Sequence, residues 1–109
     1  MKKFITNDSG KRQEFTSGMV RDSDDKPLYT EVYLPLMKRY AELMTRGATK
    51  YGKGNWQKAS GEPELQRFKE SLLRHMYQYL LGDKDEDHLA AILFNSFGCA
   101  LVEDKLENL

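Results

Sequence analysis

The sequence predicts an all-α protein with three main helices behind a polar N-terminal arm, and three observations carry that prediction. Apolar residues recur at helical spacing in three separate segments beyond residue 30. The first 28 residues show neither helical nor two-residue periodicity. The whole chain has 109 residues, which is room for one domain around one core.

The arm, residues 1–28, is polar and carries Gly10 and Gly18, so it reads as a loop or an arm packed on the body. Pro35 then fits the first turn of a helix. Leu36, Met37, Tyr40, Leu43, Met44 and Ala48 follow on one side, predicting helix one over about residues 32–50. Residues 51–63 hold Gly52, Gly54 and Gly61 with Trp56 as the one large apolar side chain, which marks a loop. Phe68, Leu72, Met76, Tyr79 and Leu80 restore the helical period until Gly82, so helix two is expected over about 64–81. After the acidic turn at 83–87, residues 89–102 are apolar on nearly every side of a helical projection, which predicts a central, buried helix three. So short a chain hides such a helix only if the arm or a second subunit covers it, and the expectation is a homo-oligomer.

Composition narrows the function. Lys plus Arg and Asp plus Glu balance at 17 each, so no bulk field draws the protein to nucleic acid, and direct nucleic-acid binding is not expected. No stretch has the length and apolarity of a membrane span or a signal peptide, and the single Cys99 has no partner within the chain. These features suit the cytoplasm, and Cys99 reads as core.

Two segments carry chemistry. In GDKDEDHLAAILFN, residues 82–95, acids and a histidine crowd the start of helix three. A charged cap favoured by the macrodipole is one reading. The other is a site, because Asp85, His88 and Asn95 fall within about 80° on a helical wheel and Asn95 sits deep in apolar sequence. Asp85, Glu86 and Asp87 are the candidate metal ligands, and their oxygens suit Mg²⁺ or Mn²⁺. His88, with His75 on helix two, is the candidate proton carrier, although a lone histidine beside Phe68 and Tyr79 also reads as a satisfied core residue. In RGATKYGKGNW, residues 46–56, Arg46, Lys50 and Lys53 flank two glycines, with Tyr51, Asn55 and Trp56 close by. Cations offset phosphate charge and an aromatic ring offers a base a stacking face, so the segment suits a nucleotide. Its bland alternative is a glycine-capped helix end with Trp56 anchored in the core. Lys11 follows a glycine, but neither a preceding strand nor a following Ser or Thr makes a Walker loop. Glu42, four residues from both Lys38 and Arg46, reads equally as a metal ligand or a solvated ion pair.

At these residues the chain resembles the dATP/dGTP diphosphohydrolase N-terminal-like proteins common in bacteriophage genomes. The matching stretches are DSGKRQEFTSGMVRD (8–22), RGATKYGKGNW (46–56), SLLRHMYQYLLG (71–82) and DEDHLAAILFN (85–95), in order along most of the chain. The resemblance implies a MazG-like helical bundle completed by oligomerisation, working in the host cytoplasm. It implies release of pyrophosphate from a purine deoxynucleoside triphosphate with Mg²⁺ or Mn²⁺. By matched position, Asp85, Glu86, Asp87 and His88 would form the metal and catalytic end. Arg46, Lys50, Lys53 and Arg74 would meet phosphates, and Tyr51, Asn55 and Trp56 would meet the nucleoside or brace the loop; Asn95 is counted among the candidate nucleotide-binding residues. Where MazG-like enzymes place a glutamate pair on the first helix, this chain has only Glu42. The alternative function is a non-catalytic phage protein that sequesters a nucleotide or a nucleotide-derived signal.

Overall fold

The structure is a computed structural model that describes residues 3–108; the first two positions of the expected arm and the last residue of the chain lie outside the described residues. Two compact units emerge, Met1–Glu31 and Val32–Leu109.

The first unit corrects the expectation of a loop. It holds a short antiparallel hairpin, β1 (Arg12–Glu14) with β2 (Val20–Asp22), in the register Arg12↔Asp22, Gln13↔Arg21 and Glu14↔Val20. Both three-residue strands are almost wholly exposed, so no buried face imprints an alternation on the sequence. Local polar bonds hold the hairpin instead. Phe15 N–H donates to the Met19 carbonyl across the turn at 2.9 Å, and Ser9 donates to Asp22 through its backbone N–H at 2.8 Å. The Arg12 guanidinium grips Asp8 at 2.8 and 2.9 Å and lowers that carboxyl to about 2.

The second unit is the helical body. α1 (Leu34–Tyr51) carries Pro35 in its first turn, where the fixed φ of proline suits the helix. Its stripe of Leu36, Met37, Tyr40, Leu43, Met44 and Ala48 is half-buried, as the period predicts. α1 ends at Gly52, whose φ of +94° lies outside what a side chain tolerates well, and a 3₁₀ turn over Asn55–Lys58 carries Trp56. α2 (Glu62–Leu80) starts two residues before the periodic pattern does. Glu64 explains this: its carboxylate accepts the N–H groups of Ser60 and Gly61 at 3.0 Å each, and Pro63 sits within the first turn. α3 (His88–Glu107) is capped by Asp87, which accepts the Ala90 N–H at 3.2 Å.

α3 packs against both α1 and α2 and is the central helix. Its contact with α2 is close. Gly98 lies under the Phe68 ring so tightly that a Cβ would collide with it, and Phe68 in turn meets Phe94 edge-on at 5.8 Å. Val102, Leu65 and Ala59 form the buried centre, with Phe68, Cys99 and Leu106 packed around it. Lys105 staples the far end, donating from Nζ to the carbonyls of Gln57 at 2.6 Å and Ala59 at 2.7 Å. Here α2 departs from the simple stripe: His75 is buried, whereas Met76, Tyr79 and Leu80 are exposed.

Candidate functional site

Two pockets adjoin on the α1 side of the body and share Leu43. The first, of about 450 Å³, lies between the C-terminal half of α1, the glycine loop and Phe94. Tyr51, Lys53, Asn55 and Trp56 all line it, and most of its wall is apolar. The second, of about 510 Å³, lies where α1 faces the start of α3 and is lined by Leu43, Arg46, Lys84, Asp85, Glu86, Asp87 and Ala91. Residues of the two segments, 46–56 and 82–95, are thus brought to adjoining pockets: one mostly apolar with aromatic side chains, the other charged.

Two of the charged groups in the second pocket, Asp85 and Asp87, are held by other side chains. Asp87 both caps α3 and receives a two-point bond from Arg39 on α1, with Nε and Nη2 each at 2.7 Å. The Arg39 guanidinium holds the Asp87 carboxyl below the usual range, with the capping N–H and the nearby charge of Arg46 acting in the same direction. Asp85 is exposed but anchored from behind, since His88 Nε2 bonds to its Oδ1 at 2.9 Å and lowers its pKa.

The anchor continues inward. His88 Nδ1 and His75 Nδ1 lie 2.9 Å apart in a buried contact between α3 and α2. The tautomers follow from the neighbours. A carboxylate accepts only, so His88 carries its hydrogen on Nε2 and, when neutral, leaves Nδ1 bare. His75 must then donate from Nδ1 and keep its own Nε2 bare. Burial pushes the His75 pKa down, and the charges of Arg74 and His88 push it further. A second proton on this pair would set two N–H groups against each other.

The remaining candidates are placed elsewhere. Lys50 lies over the Tyr51 ring at 5.0 Å and lines neither pocket. Arg74 reaches Gln78 along the exposed side of α2 at 3.4 Å. Asn95 is buried, lines neither pocket and donates from Nδ2 to the Ala91 carbonyl of its own helix at 2.8 Å. Glu42 is exposed and forms no ion pair among the described residues. The sequence reasoning missed Leu43, Lys84, Phe94 and Arg39. A signal for one of them existed: Arg39, Leu43 and Arg46 stand at i, i+4 and i+7, one stripe of α1.

The donor set can be tested against a divalent ion. Three carboxylates and two cations line the charged pocket, so its wall is net negative before any phosphate arrives. Asp87 is engaged by Arg39, which leaves Asp85 and Glu86. Two carboxylates suit Mg²⁺ that is bound mainly through substrate phosphates and water rather than a protein cage. Among the described residues, no three potential ligands converge on one point. No helix among them is long and apolar enough to cross a membrane.

Comparison with known proteins adds one finding. The family model described as dATP/dGTP diphosphohydrolase, N-terminal, matches residues 17–107. Neither a curated protein nor a solved structure matched the chain.

Proposed function

The chain belongs to the dATP/dGTP diphosphohydrolase N-terminal family, and on that premise we propose that it is a metal-dependent pyrophosphohydrolase of purine deoxynucleoside triphosphates, working as a homo-oligomer. The observation that carries the reading is the junction of the two pockets at Leu43. An apolar slot with Trp56 and Tyr51 takes a flat base, and a charged slot beside it takes phosphates. Arg46 and Lys84 offset phosphate charge there. Asp85 and Glu86 are the residues that would hold Mg²⁺ or Mn²⁺, and such an ion neutralises phosphate charge and lowers the pKa of a bound water when present.

In the proposed reaction water attacks the α-phosphorus, the bond to the bridging oxygen breaks, and pyrophosphate leaves with the dNMP as the other product. His88 and His75 line neither pocket, so their part is to hold Asp85 in place: His88 fixes the carboxylate and His75 fixes the tautomer of His88. The engagement of Asp87 by Arg39 favours a second reading, a nucleotide binder without turnover, because it removes one carboxylate from the metal's reach.

The test is pyrophosphate release from purine and pyrimidine deoxynucleoside triphosphates with Mg²⁺ or Mn²⁺, with calorimetric binding on the same preparations. Metal-dependent release from dATP and dGTP is expected. Tight binding without release would establish the binder instead, and neither signal would sink both readings.

A further inference from the structure

Arg39 lines neither pocket wall, yet its placement gives it more than a structural part. It shares one stripe of α1 with Leu43 and Arg46, and Leu43 is the residue common to both pockets. Travelling along this stripe toward the start of α1, a ligand passes from the apolar slot to Arg46 and then meets Arg39, about 10 Å of helix rise beyond Arg46. The guanidinium is held along one edge only. Asp87 takes Nε and one hydrogen of Nη2, while Nη1 has no protein partner among the described residues, and the Arg39 side chain is 45% exposed. A guanidinium oriented in this way presents its remaining two-nitrogen edge as a ready fork for a phosphate. The pocket also needs it: with three carboxylates against Arg46 and Lys84, a further cation is required to bring the protein groups around the phosphate chain to balance.

Resting on the nucleotide reading above, we infer that Arg39 is the residue that reads the length of the phosphate chain. It receives the terminal phosphate of a nucleoside triphosphate, which a monophosphate seated in the same base pocket does not reach. Asp87 is its positioning partner, which accounts for a carboxylate in a phosphate-binding pocket that is spent on neither metal nor water.

The experiment is calorimetric binding of α,β-imido-dATP, α,β-imido-dADP and dAMP, each with Mg²⁺, to the wild-type chain and to Arg39→Gln, Arg39→Lys and Asp87→Asn. Loss of a charge-assisted fork is expected to weaken triphosphate binding about tenfold or more in Arg39→Gln, with dAMP changed by less than about twofold. Arg39→Lys keeps the charge without the fork and falls between. Asp87→Asn keeps both the guanidinium and a capping side chain, so its preference for triphosphate stays above that of Arg39→Gln. A merely structural role would weaken all three ligands by one common factor, and an unchanged triphosphate-to-monophosphate ratio in Arg39→Gln overturns the inference. If the wild type binds all three ligands alike, the nucleotide reading stands and this inference fails. If it binds none, the pocket assignment itself fails and takes this inference with it.

Discussion

His75 shows how much a single residue's setting decides. On sequence it is a histidine at the edge of an apolar stripe; in the fold it is buried and donates to a second histidine that in turn holds Asp85. Its folded pKa lies below the ordinary 6.5, first through burial and then through Arg74 and His88, with Glu86 and Asp85 opposing. The unfolded chain therefore takes up a proton near pH 6.5 that the folded chain refuses. Stability is fully present above that pH and is lost as pH falls below it. Asp85 and Asp87, with lowered pKa values, add stability that is present above about pH 4 and lost only under more acidic conditions. Urea denaturation should therefore find the wild type less stable near pH 5.5 than near pH 7.5, with a smaller difference in His75→Gln. A difference of equal size in the two proteins would remove His75 from the account.

At the scale of elements, the crossing of α2 and α3 depends on Gly98. Alanine there gains about 1 kcal/mol of helix propensity, but it drives a methyl group into the Phe68 ring, and overpacking of this kind costs about 1–3 kcal/mol. The ring is itself wedged against Phe94, so it has little freedom to withdraw. Packing wins, and Gly98→Ala is expected to be destabilised by about 1 kcal/mol or more, a fall in Tm of several degrees. Phe68→Leu in the same chain should recover part of that loss; strict additivity of the two substitutions in a thermal-melt cycle would show that the ring is not the obstacle.

What the sequence reveals follows from the same physics. The stripe of α1 was legible because six apolar residues repeat at the helical period and are the ones half-buried. The paired segments 46–56 and 85–87 were legible because glycines with cations, and acids at a helix start, are local patterns. The hairpin was not, since Arg12–Glu14 and Val20–Asp22 are almost wholly exposed and leave no alternation to read. The partnerships that organise the site were not legible either: His75 meets His88 across a helix-to-helix contact, and Arg39 meets Asp87 from 48 residues away. The bond that Asn95 makes was hidden for a different reason. The Nδ2 of Asn95 donates one turn back on its own helix, an arrangement that composition cannot distinguish from a ligand contact.

At the scale of the whole molecule, the second half of α2 leaves an apolar surface exposed among the described residues. Leu73, Met76, Tyr77 and Leu80 stand at i, i+3, i+4 and i+7 on the second half of α2, and they are 50%, 43%, 60% and 76% exposed. The opposite flank of the same turns, with Leu72 and His75, is the one turned into the body. A run of four large apolar side chains along one face is more than a monomer ordinarily leaves to water, and a stable two-fold interface built around it would bury about 800 Å² per partner. The face is also suited to itself. An apolar helix surface bordered by Lys69 and Glu70, charges of both signs, can pair antiparallel with a copy without setting like charges along the seam. A second copy of the chain is therefore the expected occupant. Sedimentation equilibrium should find an oligomer for the wild type and a monomer for Leu73→Glu combined with Leu80→Glu. Both positions are half-exposed or more, so the helical circular dichroism should be retained. A wild-type chain that sediments as a monomer at high concentration would refute the pairing, and an oligomer indifferent to both substitutions would move the interface to another face.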